Sequence, residues 1–229
     1  MKFTIPIKEN RHCYASTEQL EILFDLINHK ILGNSFFLTG GTALAVFYLH
    51  HRTSNDLDFF TLDNIDISEI DFRLKSIWGK DYTKLKESDS FLSLLMKNVK
   101  IDFIIDPLSF KEERKKTKSG LLLDTINNIY SNKLAAIVSR NEPKDYIDFY
   151  FIHQRLQKKS LDGVYKDASR KDAIFDDPPS AAYQIEEGIH FIRSNRDLIP
   201  NLLVEINWMS FYTFYTELIE WIYKKIILK

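Results

Sequence analysis

Asp56 and Asp58 stand two residues apart in a stretch, residues 56–60, where they alternate with the apolar Leu57 and Phe59. Alternate side chains of a strand share a face, so the two carboxylates point the same way while Leu57 and Phe59 turn to the core. Anions held that close repel each other, and a divalent cation between them removes the cost. Mg²⁺, a hard ion that prefers carboxylate oxygens and substrate phosphates, suits such a pair. A third carboxylate strengthens the case. In residues 99–105, Val99, Ile101, Phe103 and Ile105 form one apolar face, and Asp102 sits mid-strand on the other beside Ile104. A charge there is expensive unless it is used. Asp106, on the same face but just before Pro107, reads as a turn residue.

A phosphate-binding element precedes the carboxylates. Gly40-Gly41 lies between a short apolar run, residues 35–38, and a helix-forming run, residues 43–49. Glycines at a strand-to-helix turn let backbone N–H groups approach an anion closely, helped by the positive end of the helix. Arg52 and Ser54, just ahead of the Asp pair, are placed to steer a phosphate or to brace the loop. Farther along, Lys133 interrupts a helical stripe of Ile126, Ile129, Tyr130, Leu134 and Ile137. Its ammonium either faces a cleft or snorkels over the core to water. Asp145 and Asp148 share a face of the next helix, where Asp148 has Lys133, Arg140 or, at helical spacing, Lys144 as candidate partners. His50-His51 does not read as a zinc site, because adjacent strand residues point oppositely and no cysteine or acid follows at ligand spacing.

These groups need a scaffold, and the pattern supplies one. Ser16 and Gln19 form a capping-box pair ahead of Leu20, Leu23, Phe24, Ile27 and Ile31, which recur at helical spacing until Gly33. A helix is expected over 68–78, and a hairpin over 91–96 and 99–105 around Lys97-Asn98, with Pro107 ending the β-rich part. Beyond residue 121 the periods are helical, with Pro143 opening one helix, Asp176-Asp177-Pro178-Pro179 acting as a breaker, and helices over 181–195 and 210–227. The division expected is an α/β core over 1–107 and a helical region over 108–229. The aromatic residues Trp208, Phe211, Tyr212, Phe214, Tyr215, Trp221 and Tyr223 read as a helical core.

Composition bounds the function. With 31 basic and 32 acidic residues the net charge is −1, which excludes a uniformly basic nucleic-acid coat. Charge is nonetheless uneven: residues 53–72 hold six acids and no Lys or Arg, whereas 111–118 hold five basic residues against two acids and 155–171 six against two. The two basic patches are candidate phosphate-attracting surfaces or ordinary solvated helix faces. Lone Cys13 makes no internal disulfide, and residues 1–10 lack the apolar core of a signal peptide, so the expected home is the cytoplasm, with no membrane partner.

The order of glycine turn, helix, Asp-x-Asp and later Asp resembles polymerase-β-like nucleotidyltransferases. More specifically, residues 38–44, LTGGTAL, followed by residues 51–60, HRTSNDLDFF, resemble the AbiEii/AbiGii toxin family, to which MenT-type toxins are related. Residues 132–140, NKLAAIVSR, and 144–150, KDYIDFY, resemble that family's helical signature. The resemblance covers about residues 35–152. It implies an α+β fold, a mixed-sheet nucleotidyltransferase core followed by a C-terminal helical region that would cover the nucleotide cleft and acceptor site. It also implies Mg²⁺-dependent transfer of a nucleotide from a nucleoside triphosphate to an acceptor, in studied relatives the tRNA 3′ end. On the same grounds Gly40, Gly41 and Thr42, with Arg52, Ser54, Lys133 and Asp145, would serve the nucleotide. Asp56, Asp58 and Asp102 would hold the metal, with Lys133 and Asp148 completing the catalytic set. A toxin role with a separately encoded antitoxin is a further implication. Rival readings are a catalytically silent nucleotide-binding or protein-interaction module, and transfer to a protein or small molecule.

Overall fold

Ser16 Oγ accepts the Gln19 N–H at 3.2 Å and Gln19 Oε1 accepts the Ala15 N–H at 2.9 Å, so the expected capping pair starts α1 (Thr17–Asn28). The computed structural model describes residues 7–108, 113–156 and 160–225. Within it the chain forms two compact units, Met1–Ile126 and Asn127–Lys229.

The first unit is built on a seven-stranded mixed sheet ordered β3-β4-β5-β2-β1-β7-β6. Its strands are β1 (Phe37–Thr39), β2 (Leu57–Thr61), β3 (Tyr82–Ser88), β4 (Phe91–Met96), β5 (Val99–Ile105), β6 (Lys115–Lys116) and β7 (Leu122–Leu123). β2 lies parallel to β5 and β1 parallel to β7, while the other pairs are antiparallel. Lys97 and Asn98 close the β4–β5 hairpin with φ of 45° and 66°, the paired left-handed geometry of a two-residue turn. The sheet does not stop at Pro107, as β6 and β7 extend it on the far side of β1. Leu57, Phe59, Ile101 and Phe103 are buried on one face, with Phe59 stacked on Phe103 at 5.4 Å and Phe36 edge-on to Phe103 at 5.2 Å. α2 (Gly40–Ala43) follows β1 directly and continues as wider π-type turns through Leu44–Leu49. α3 (Ile67–Trp78) connects β2 to the β3–β4 hairpin and carries an N-cap from Asp66 to the Ser68 N–H at 2.9 Å.

The second unit is helical: α4 (Ile126–Arg140), which begins at the boundary, α5 (Pro143–Arg155), α6 (Leu161–Ala168), α7 (Pro178–Ser194) and α8 (Trp208–Lys224). Pro143 and Pro178 open α5 and α7, where a missing N–H costs nothing. Tyr146, Tyr150, Phe211, Phe214 and Tyr215 interlock between α5 and α8, and Tyr215 Oη donates to the Tyr146 carbonyl at 2.7 Å. Of the aromatics expected to be core, Phe211, Phe214 and Tyr215 are buried, Trp221 is partly buried, and Tyr223 is exposed, on the outward side of α8. Trp208 and Tyr212 flank the core and take the Arg196 guanidinium over their rings at 4.6 and 5.8 Å. The end of the 210–227 helix, and parts of both basic patches (111–112 and 158–159), lie outside the described residues.

Candidate active site in the first unit

A row of polar residues crosses the sheet opposite its apolar face. Thr39 on β1 is in register with Asp58 on β2, Asp58 with Asp102 on β5, and Asp102 with Ser93 on β4. Residues paired across neighbouring strands point to the same side, and strands lie about 4.8 Å apart. Asp58 and Asp102, 44 positions apart in sequence, are therefore adjacent because their strands pair. Asp56 falls one residue ahead of β2, so the strand begins later than residue 56, although Asp56 keeps the spacing of two from Asp58.

The glycine turn is fitted to this row. Gly40 has φ +66°, a left-handed conformation, and a Cβ there would overlap the Asp58 carboxylate. A Cβ on Gly41 would run into the Arg52 guanidinium and lie 3.0 Å from Ser54 Oγ. A Cβ at either glycine would thus displace a side chain of the site, and Gly40 is favoured by its backbone as well. Thr42 Oγ1 donates to the Asp56 carbonyl and lies 2.9 Å from Ser54 Oγ, and Gln19 Nε2 reaches both Thr42 Oγ1 and the Asp56 carbonyl at 3.4 Å. Arg52 is buried and donates to the Thr53 carbonyl at 2.8 Å, while the Ser54 N–H bonds the Cys13 carbonyl at 3.0 Å. In this arrangement Arg52 and Ser54 make the bracing contacts of the loop.

Asp102 is 8% exposed and both its oxygens are engaged: Ser93 Oγ donates to Oδ1 at 2.5 Å and Lys100 Nζ to Oδ2 at 2.7 Å. Burial works against the Lys100 charge, yet its pKa is raised on balance by the Asp102 hydrogen bond and charge, with Asp56 and Asp58 adding to the pull. All three carboxylates therefore act on one cation. Among the described residues no three Asp, Glu, His or Cys side chains are gathered closely enough to enclose a metal by themselves. The donor chemistry still fits a hard divalent ion, since Asp58 and Asp102 are in facing register and the field of the three acids already favours positive charge.

Sequence reasoning missed the support on the other side of Thr39. Fully buried Asp124, just past β7, accepts the Thr39 hydroxyl at 2.6 Å and the Thr125 N–H at 2.9 Å, and lies 3.8 Å from Arg114 Nε. Its carbonyl accepts Tyr48 Oη at 2.6 Å, so one residue ties the entry of the glycine turn to the far end of the following helix. Ser93 and Lys100 were also missed. Each sits on the solvent-side alternation of its strand, and only the cross-strand register reveals its neighbour.

In the second unit, Lys133 is buried between two carboxylates that are themselves fully buried, Asp145 Oδ1 at 2.8 Å and Asp148 Oδ2 at 2.6 Å. Arg140 adds two bonds to Asp145, at 2.7 and 2.9 Å. Burial alone would raise the Asp145 pKa, but Lys133 and Arg140 outweigh it and hold the carboxyl below its ordinary value. Lys144 pairs with Glu142 at 3.0 Å, and Asp148 takes Lys133. Lys133 does not snorkel: its ammonium is buried with its stem, in an ion-paired cluster.

In this mixed sheet the glycine turn lies against Asp58 on β2, and Asp102 stands in register on the parallel neighbour β5. JHP933 from Helicobacter pylori shares the fold, with a TM-score of 0.59 and 20% identity over 92% of this chain and 94% of that one. ANT(2″)-Ia, solved in complex with adenylyl-2″-tobramycin, matches at a TM-score of 0.52 and 12% identity over 68% of this chain and all of its own. The chain belongs to the family of AbiEii nucleotidyl transferase toxins of type IV toxin–antitoxin systems, whose model matches residues 21–187. By family and fold it falls among the nucleotidyltransferases. A curated relative, the uncharacterized protein aq_aa25 from Aquifex aeolicus (strain VF5), is 32% identical over 145 residues, 60% of this chain and 66% of that protein's length. No helix among the described residues is long and apolar enough to cross a membrane.

Proposed function

We propose that this chain transfers a nucleotide from a nucleoside triphosphate to an acceptor hydroxyl, with the 3′ end of tRNA as acceptor, acting as a cytoplasmic toxin counteracted by a separately encoded antitoxin. The observation that carries the proposal is the placement of the Asp58 carboxylate between the Gly40 turn and Asp102 on the paired strand. Gly40, Gly41 and Thr42 present backbone N–H groups to the triphosphate. Asp56, Asp58 and Asp102 would hold Mg²⁺, which when bound neutralises charge developing on the attacking and leaving oxygens. The acceptor oxygen forms a bond to the α-phosphorus, the bond to the β-phosphate bridging oxygen breaks, and pyrophosphate leaves with that electron pair. The acceptor proton passes to Asp102. Catalysis of this kind rests mainly on positioning and charge stabilisation. Arg52 and Ser54 keep the turn in place beside the nucleotide. The family resemblance implies a role for Lys133 toward the nucleotide; within the second unit Asp145 and Asp148 fix its ammonium.

The test is incubation of the purified chain with each labelled nucleoside triphosphate, Mg²⁺ and total RNA, beside Asp58→Ala. Label should enter tRNA with the wild type and not with the variant; transfer that survives the substitution would refute the mechanism. Label in protein or in a small molecule would reassign the acceptor, and nucleotide binding without transfer would favour a silent module. Expression of the wild type should slow growth relative to Asp56→Ala, and equal growth removes the toxin role.

A further inference from the structure

We propose that Lys100 is an exchangeable counter-ion of the carboxylate row: its ammonium holds Asp102 in the metal-free protein and is released when a divalent cation binds. The inference rests on the metal role of Asp56, Asp58 and Asp102 proposed above.

Lys100 and Asp102 lie on the same face of β5, two residues apart, with Nζ 2.7 Å from Oδ2. What distinguishes the pair is its asymmetry. The Asp102 side chain is 10% exposed and its other oxygen is fixed by Ser93 at 2.5 Å, whereas the Lys100 side chain is 43% exposed and sits on a flexible four-carbon stem. When a second cation arrives at the shared carboxylates, the two positive charges repel and one group must move. The buried, doubly bonded aspartate stays, and the half-exposed lysine swings outward.

The experiment measures how fast an acylating reagent labels each lysine of the folded wild type, by mass spectrometry, with and without Mg²⁺ or Mn²⁺, using exposed Lys118 as internal reference. Ion binding is followed in parallel by calorimetry. Labelling of Lys100 relative to Lys118 should rise at least about fivefold with the ion, and Lys100→Gln should bind Mn²⁺ at least about tenfold more tightly. In Asp58→Asn neither ion should change Lys100 labelling. Ion binding by the wild type with unchanged Lys100 labelling overturns the exchange while leaving the metal reading intact. No ion binding at all overturns the metal reading and the exchange together.

Discussion

Replacing Gly40 with alanine isolates the contact on which the active-site reading turns. Two costs are expected. The residue has φ +66°, where an L side chain costs about 1–2 kcal/mol. The new Cβ also overlaps the Asp58 carboxylate, the end of a flexible side chain, so the carboxylate gives way rather than the sheet. The first cost appears as a lowering of Tm by several degrees, the second as displacement of a reacting-site group by about 1 Å, for which a rate loss of about 10²-fold is the expected scale. Gly33→Ala is the control, because Gly33 has φ +54° and a Cβ added there would meet nothing within 4 Å. The two variants should melt alike, within about 1 kcal/mol of each other by the first cost alone, while only Gly40→Ala loses nucleotide transfer. Full transfer by Gly40→Ala, or an equal loss in Gly33→Ala, would show that the turn and Asp58 are not mechanically linked.

Lys133→Met removes the ammonium between two fully buried carboxylates and should destabilise the protein by about 3–5 kcal/mol, measured by urea unfolding, with Asp145→Asn in the same chain restoring part of the loss. Acid stability should follow Asp145: its folded pKa lies below its unfolded value, so its contribution is present above about pH 4 and is lost as pH falls toward the folded value. Burial lowers the His153 pKa, so the unfolded chain takes up the proton first. Stability should therefore fall as pH drops below about 6.5, a slope that His153→Gln flattens in pH-dependent unfolding. Thr39→Val deletes the hydroxyl held by Asp124 and should cost about 1–3 kcal/mol in thermal unfolding, with Thr39→Ser keeping most of the wild-type value.

Much of the site was legible because it lies in local patterns. Alternation gave the β5 faces and so isolated Asp102, the spacing of Ser16 and Gln19 gave the start of α1, and Lys97-Asn98 gave the hairpin turn. The Gly40-Gly41 turn was legible from its position between an apolar strand and a helix. What escaped depends on pairings that no single segment encodes. β6 and β7 have two residues each, too few for any period, and β3 is a polar, exposed strand with a register shift between Lys84 and Lys86. Ser93 and Lys100 look like ordinary surface residues until β4, β5 and β2 are set side by side. Asp124 gains its meaning only from Thr39, 85 residues earlier in the chain. For Lys133 the apolar stripe showed that something unusual was needed, and packing alone chose Asp145 and Asp148 from the candidate partners.

Parallel pairing of β2 with β5 has a consequence for how the enzyme can fail. The interval between Asp58 and Asp102 is set by backbone ladder spacing, so side-chain repacking beneath the sheet can tune it only slightly. Damage to the core should then act as a switch rather than a dial: surviving molecules keep near-normal turnover, and bulk activity tracks the number still folded. Denaturant titrations of weakened variants should show catalysis and tertiary signal vanishing at a common midpoint.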